Sequence, residues 1–159
     1  MTFSKSWGYG VRALVQMAGS FENPDARWQA GDLAEAAGLP ASFLSKVLHQ
    51  LSTAGLVDSA RGRGGGVRLA APPEDIHLLD VAHATEEGVG LGLETAGFED
   101  APSALRRAVR KRWQPYERGM VEFLAETTIA DLAHALPTII APPSPTSAGD
   151  DDLTTEEQG

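Results

Sequence analysis

Cysteine is absent from the 159-residue chain. Its absence excludes disulfide bonds, thiolate nucleophiles, tetrathiolate zinc sites and an ordinary cysteine-ligated iron–sulfur cluster. The sequence also has no apolar run of about 18 residues and no basic-then-apolar N-terminal signal, so we expect a cytoplasmic protein with no membrane partner. Nucleophile-elbow, phosphate-loop and metalloprotease motifs are missing as well, and we therefore expect neither an enzyme nor a bound cofactor.

Basic residues are scarce, since 13 Lys and Arg oppose 22 Asp and Glu and give a net charge of −9. The balance changes along the chain: residues 1–72 carry seven basic and five acidic residues, whereas residues 73–159 carry six and seventeen. Exposed charges more than about 10 Å apart are largely screened at moderate salt, so the local sign matters most. The mildly basic first half is compatible with a nucleic-acid partner.

Hydrophobic periodicity predicts a mainly helical domain with one small β-hairpin over residues 1–87. The predicted helices span 4–19, 30–37, 41–53 and 78–87, and the predicted strands span 56–60 and 67–70. Gly38 suits the end of the second helix because glycine tolerates a left-handed backbone. Two short helices joined by a tight turn and followed by a hairpin are the parts of a winged helix-turn-helix.

The third predicted helix combines an apolar face with a polar stripe. We expect the following residues to face the core: Phe43, Leu44, Val47, Leu48 and Leu51. Ser42, Ser45, Lys46 and His49 recur at helical spacing and share a polar stripe on another side. The two small serines and the one cation, Lys46, suit a DNA major groove about 12 Å wide. An ordinary solvated helix face is the alternative, and the adjacent hairpin favours the groove.

The hairpin bend, residues 61–66, holds two arginines and four glycines. Glycines let a loop approach the sugar-phosphate backbone closely, and Arg61 and Arg63 are suited to a narrow, electronegative minor groove. A flexible loop with two solubilising charges is the alternative. A nucleotide-binding loop is disfavoured because no Gly-Lys-Ser/Thr follows.

A long helix is predicted over 103–126, ahead of a short last helix over 129–136. An apolar seam at near-heptad spacing favours a dimerisation helix. It comprises Leu105, Val109, Trp113, Tyr116, Met120, Phe123 and Thr127. Pro115 should kink the helix, and an aromatic ligand box at Trp113 and Tyr116 is the alternative. We therefore divide the chain into a DNA-binding domain (1–87), a loop (88–101), a dimerisation region (102–136) and a disordered acidic tail (137–159).

The run from Ala54 to Leu69, Ala-Gly-Leu-Val-Asp-Ser-Ala-Arg-Gly-Arg-Gly-Gly-Gly-Val-Arg-Leu, closely resembles the IscR- and NsrR-like Rrf2 family of bacterial transcription regulators. The resemblance extends to Tyr9, to the segments 11–14, 76–81 and 123–132, and to Trp113. It covers residues 3–136, and the Gly-Leu-Val…Arg-Gly-X-Gly-Gly-Gly pattern within it is specific.

Membership would imply a homodimer with paired long helices and one winged head on each half-site of a pseudo-palindromic operator. It would also imply base contacts from Ser42, Ser45 and Lys46 and a minor-groove role for Arg61. Arg63 stands where many members have proline. Sensing members hold a [2Fe–2S] cluster with three loop cysteines, which this chain lacks. The resemblance therefore indicates a cysteine-less member without that cluster.

Two other features leave alternatives open. Asp80/His83 and Asp131/His134 have a spacing found in some metal sites, but with no evident third ligand we interpret them as helix-surface pairs. A dense basic cluster consists of Arg106, Arg107, Arg110, Lys111 and Arg112. Three interpretations are open: a solvated face paired with Glu94, Glu99 and Asp100, an anion-binding site, and a protein-docking surface.

The sequence thus predicts a homodimeric transcription regulator, a repressor rather than an activator, that binds double-stranded DNA. We expect phosphate contacts from Ser4, Lys5 and Tyr9 and groove contacts from the third helix and the hairpin. An unidentified small molecule or protein would act as effector. The alternative is a winged-helix protein-interaction module that does not bind DNA, for which the net charge of −9 gives some support.

Overall fold

The computed structural model of the chain describes residues 3–86, 98, 100–136 and 142. Its elements, in chain order, are α1 (Lys5–Ala18), α2 (Ala30–Ala36), α3 (Ala41–Thr53), β1 (Val57–Ala60), β2 (Gly66–Leu69), a 3₁₀ turn (Pro73–Asp75), α4 (Leu78–Thr85), α5 (Ser103–Glu126) and α6 (Ile129–His134). The fold is therefore mainly α with one small antiparallel hairpin, as predicted. Among the described residues, no helix is both long enough and apolar enough to cross a membrane.

Helix α1 lies at the centre of the core and packs against α2, α3, α4 and α6. Ser4 caps its first turn, since the Ser4 hydroxyl accepts from the Trp7 backbone N–H at 3.3 Å. Leu14 is completely buried. At Gly10 the helices approach so closely that a Cβ atom would lie 3.1 Å from Val81 Cγ1. A small residue at that position lets α1 pack against α4.

Helices α2 and α3 form the predicted helix-turn-helix, and β1 and β2 form the predicted hairpin. The hairpin pairs Val57 with Leu69 and Ala60 with Gly66. Strand β1 begins one residue later than predicted, and β2 both begins and ends one residue earlier. The predicted inward position of Phe43 is wrong, because Phe43 is 41% exposed. It lies at the edge of the buried face of α3, where its ring meets Tyr9 edge-on at 5.4 Å between centroids.

Helices α5 and α6 are attached to the preceding part of the fold, the winged head of residues 3–86, through backbone hydrogen bonds. The Leu78 N–H donates to the Thr127 carbonyl at 3.0 Å, and the Ile129 N–H donates to the Ile76 carbonyl at 2.8 Å. Among the described residues of α5, Leu124 is the one that is buried. The rest of this 24-residue helix therefore contributes little to the core of its own chain.

Several predicted helix ends differ from the structure. Helix α1 begins one residue later and ends one residue earlier than predicted, and α2 ends one residue earlier. Helix α4 ends at Thr85 and α6 at His134, each two residues earlier than predicted. Helix α5 has the predicted bounds and continues through Pro115, and a kink there stays a prediction. The predicted loop 88–101 and tail 137–159 lie outside the described residues, apart from 98, 100, 101 and 142.

Candidate DNA-binding surface

Helix α3 presents its polar stripe to solvent while its other side is fixed in the core. Leu44, Val47, Leu48 and Leu51 are all buried. Ser42, Ser45 and Lys46 are exposed, as is His49 one turn further on. The Ser45 hydroxyl donates to the Ala41 carbonyl at 3.3 Å, a bond within the helix that keeps this side chain close to the helix axis. The exposed face is therefore slim and polar, and Lys46 gives it one cation.

The turn between α2 and α3 is held by Arg12 of α1. Its guanidinium donates to the carbonyl oxygens of Ala37 and Gly38, the latter at 3.1 Å. Carbonyls at a helix C-terminus lack partners within the helix, and a cation there is favourable. Gly38 has φ +63°, which favours glycine. Arg12, to which the sequence assigned no role, thus links α1 to the turn from which α3 starts.

The hairpin forms a wing whose tip carries Arg61 and Arg63, both exposed. Gly62 and Gly64 have positive φ angles of 90° and 76°. The Gly65 N–H donates to the Gly62 carbonyl at 2.9 Å and closes the bend. A Cβ at Gly65 would lie 2.5 Å from the Ala60 oxygen, so the bend is too tight for any larger residue there.

The base of the wing is fastened by Asp58, a residue that no sequence motif singled out. Its Oδ2 accepts from Arg27 at 2.8 Å and from Arg68, its cross-strand neighbour, at 3.2 Å. The hydrogen bond from Arg27, followed by that from Arg68, holds the pKa of Asp58 below its ordinary value. Arg68 also donates to the Pro24 carbonyl at 2.9 Å, so the wing and the loop before α2 are tied together.

Trp28 completes this attachment. Its backbone exchanges two 2.8 Å hydrogen bonds with Val67, which form an isolated antiparallel bridge beside the hairpin. The indole is 1% exposed and donates to the Ser20 hydroxyl at 3.1 Å. Gln29 donates to the Gly65 carbonyl at 2.6 Å, close to the tip. The arginine-bearing tip therefore projects from a base with many fixed contacts to the body.

The three residues predicted to contact phosphates lie at the N-terminal end of α1 but differ in their surroundings. Lys5 is exposed, and the ring of Tyr9 is partly buried against Phe43. The Ser4 hydroxyl donates to Glu86 Oε1, and the Ser4 N–H donates to the same oxygen at 3.2 Å. Ser4 therefore already has an acidic partner within the chain.

The predicted seam of α5 lies largely in solvent in the single chain. Trp113 is 40% exposed, Tyr116 73% and Phe123 55%, whereas Val109 and Met120 are partly buried. Trp113 and Tyr116 meet edge-on, with their ring centroids 5.9 Å apart. Leu124, which was not predicted to be a core residue, is fully buried and anchors the end of the helix.

The described residues contain no group of three or more His, Asp or Glu side chains able to hold a metal ion. Asp80 instead accepts from the His77 N–H at 2.8 Å, and Asp131 accepts from the Thr128 N–H at 2.9 Å, so each caps a helix. The hydrogen bond from the Thr128 N–H, followed by that from the Thr128 hydroxyl, lowers the pKa of Asp131. Thr128 and Asp131 form a capping box at the start of α6, since each side chain accepts from the backbone N–H of the other residue.

Comparisons with known proteins agree with this geometry. The profile of the Rrf2 family, described as an iron-dependent transcriptional regulator, matches residues 3–135. The chain belongs to the Rrf2 family. It is 37% identical over 143 residues to Rv1287 of Mycobacterium tuberculosis, which carries the name of an HTH-type transcriptional regulator; the match covers 89% of this chain and 87% of the relative.

Two solved Rrf2-type regulators have the same fold. CymR, the global cysteine regulator of B. subtilis, is 25% identical with a TM-score of 0.70, over 86% of this chain and 98% of CymR. IscR of T. potens is 27% identical with a TM-score of 0.65, over 90% and 94% of the two chains. This Rrf2 protein is accordingly a winged-helix DNA-binding transcription regulator and not an enzyme.

A cysteine-ligated iron–sulfur cluster does not fit the residues present, although the family description mentions iron dependence. Cysteine thiolates, the ligands that hold iron–sulfur clusters, are missing from the entire sequence. Asp80 and Asp131, the two acidic residues at metal-site spacing, each accept a backbone hydrogen bond that caps a helix. The chain is thus a cysteine-less member of its family, and its residues do not provide the thiolate ligands of an iron–sulfur cluster.

Proposed function

We propose that the protein is a homodimeric, sequence-specific repressor that binds a pseudo-palindromic operator with one winged head on each half-site. One observation carries the proposal: the polar face of α3 and the arginine-bearing wing tip are both uncovered, while the opposite side of each is fixed to one body. A rigid pair of this kind can contact two adjacent grooves of one duplex.

Helix α3 would enter the major groove. Ser42 and Ser45 are small enough for the backbone of α3 to approach the base edges, and each hydroxyl can donate or accept. Lys46 supplies a cation suited to the O6 and N7 acceptors of guanine. Each such base contact discriminates against a wrong base pair by about 1–3 kcal/mol.

The wing would occupy the neighbouring minor groove with Arg61 and Arg63. A·T-rich tracts narrow this groove and raise its negative potential, which favours an inserted guanidinium. Because Asp58 and Trp28 fix the base of the wing, the two arginines reach the groove without ordering a free loop. We therefore expect the wing to add both affinity and a preference for A·T flanks.

Backbone contacts would come from the start of α1. Lys5 is exposed and Tyr9 keeps part of its surface in solvent, so both can meet a phosphate. A phosphate contact by Ser4 requires its hydroxyl to leave Glu86. We therefore rank Lys5 and Tyr9 above Ser4 among the three.

Dimerisation would bury the seam of α5. Exposed large apolar side chains on one helix face are typical of an interface, and a two-fold axis lets the same face pair with itself. The five residues proposed for this contact are Val109, Trp113, Tyr116, Met120 and Phe123. Pairing of two α5 helices would set the separation of the two heads, and therefore the half-site spacing.

Selection of bound duplexes from a random DNA library tests the proposal. The expected product is an inverted repeat with A·T-rich flanks. Lys46→Ala should relax the selected sequence at one position in each half-site, whereas Arg61→Ala should weaken binding and reduce the flank preference. Arg112→Ala removes a cation from α5 and serves as the control. Unchanged selections for both head variants would contradict the groove assignments.

The net charge of −9 favours a second candidate, a protein-interaction module that uses the same exposed head surfaces. Salt dependence separates the two. DNA affinity should fall steeply with salt if several phosphates are neutralised. A flat response, or no binding, would support the interaction module. Under the first proposal the protein acts in the cytoplasm, where a small molecule or a protein partner controls it.

A further inference from the structure

Helix α5 carries a basic stripe, which comprises Arg107, Lys111 and Arg118. At 100° per residue these positions fall within about 40° of one another around the helix. All three side chains are exposed. Within the described part of the chain none of them forms an ion pair, although Glu122 follows Arg118 by one turn. Arg107 and Lys111, four residues apart, repel each other.

The stripe lies opposite the apolar seam. The same helical geometry places Tyr116 and Phe123 about 140–180° away from Arg107 and Arg118. A second copy packed on the seam would leave the stripe in solvent. The stripe is exposed in the single chain as well, so its accessibility does not depend on the proposed dimer.

The end of the chain has the complementary charge. Asp150, Asp151, Asp152, Glu156 and Glu157 lie within eight residues, and no Lys or Arg occurs after Arg118. Five negative charges therefore occupy a segment long enough to follow the stripe: eight extended residues span at most ~29 Å, whereas the eleven positions from Arg107 to Arg118 rise ~17 Å along the helix.

The acidic segment is long enough to reach the stripe. Thirteen residues separate Leu136, the last residue of the continuous description, from Asp150, and an extended chain of that length spans about 45 Å. Lys111 lies about 22 Å along α5 from Glu126, at 1.5 Å per residue. Ten further residues, six of them in the compact α6, lead from Glu126 to Leu136. The linker therefore covers the separation.

We propose that the acidic segment 150–157 docks along the basic stripe of α5, in its own chain or in the partner copy. Single exposed ion pairs are weak. Attachment to the same molecule gives the segment an effective concentration in the millimolar range, which lets several weak pairs act together. Docking holds the five acidic charges on α5.

Zero-length carbodiimide cross-linking of the full-length protein tests this docking, because it joins a lysine amine to a carboxylate in direct contact. The chain has three lysines, Lys5, Lys46 and Lys111, so the two in the head are internal controls. Mass spectrometry should find tail carboxylates linked to Lys111 at least tenfold more often than to Lys5 or Lys46. The links should fade at 1 M salt, where the Debye length falls to about 3 Å.

Arg107→Gln with Arg118→Gln keeps the reactive amine of Lys111 but removes two thirds of the charge of the stripe, and it should reduce the Lys111 links severalfold. Circular dichroism checks that this variant stays folded. Equal linking of the three lysines would overturn the proposal, as would links concentrated on Lys46. If the double variant instead lost affinity for DNA while its Lys111 links persisted, the stripe would be a nucleic-acid contact and the docking would be refuted.

Discussion

Replacing Gly66 with alanine tests how the wing is attached. Gly66 starts β2 with φ +135°, a conformation in which a side chain is strained. The added Cβ would lie 2.6 Å from the Trp28 carbonyl oxygen, an atom of the backbone that cannot rotate away. That oxygen accepts the 2.8 Å hydrogen bond from Val67. The substitution should therefore separate Trp28 from the hairpin.

The expected cost follows from these contacts. Backbone strain contributes about 1–3 kcal/mol, and each lost hydrogen bond to Val67 about 0.5–1.5 kcal/mol. Gly64→Ala is the matched control, since Gly64 also has positive φ but nothing lies within 4 Å of its added Cβ. Its cost should stay near the ~1–2 kcal/mol of a left-handed residue. Urea unfolding should show Gly66→Ala less stable than Gly64→Ala by about 1–3 kcal/mol. Equal losses would refute the inferred role of the Trp28–Val67 pairing.

Three further predictions concern the same surface. Arg12→Ala should lower the free energy of unfolding by about 1–2 kcal/mol, since two carbonyls of the turn lose a charged donor. Although Arg12 lies on α1, the substitution should also weaken operator binding, which fluorescence anisotropy would measure. Unchanged binding would contradict a role for Arg12 in orienting α3. Because the pKa of Asp58 is lowered in the folded protein, the stabilisation by its carboxylate is present above the ordinary value of 3.8 and is lost as pH falls through the lowered pKa. In urea titrations, Asp58→Asn should therefore be less stable than the parent at pH 7, and the two proteins should become equally stable in acid. A difference in stability that does not change with pH would argue against the ion pair. Lys46→Ala should reduce the binding free energy by about 1–3 kcal/mol on the preferred operator but little on random DNA, as competition binding would measure. An equal loss of binding free energy on both DNAs would make Lys46 a phosphate contact.

Strong local signals explain which parts of the fold were predictable. The bounds of α3 and α5 follow from continuous periodicity with Pro40 and Pro102 before the first turn. The prediction that Phe43 is buried was wrong because periodicity cannot separate the centre of an apolar face from its edge. Tyr9, 34 positions away in the sequence, decides which edge is covered. The 3₁₀ turn at Pro73–Asp75 has no periodicity to reveal it.

The exposed part of the candidate site was predictable, whereas its supports were not. Arg61 and Lys46 lie within recognisable local patterns. Arg12, Trp28 and Asp58 act through partners 8 to 39 positions away in the sequence, and no local pattern records such pairs. Trp28 offered one signal: a single large aromatic residue at the end of a polar loop is often an anchor in the core.

Groove-specific footprinting on the selected operator tests the central claim most directly. We predict protection of major-groove guanine N7 atoms in two tracts centred one helical turn apart or a multiple of it, each flanked by protected adenine N3 atoms in the minor groove. Arg61→Ala should remove the minor-groove protection and leave the major-groove tracts. Protection confined to one groove in the parent protein, or no protection at concentrations that saturate the duplex, would contradict the account.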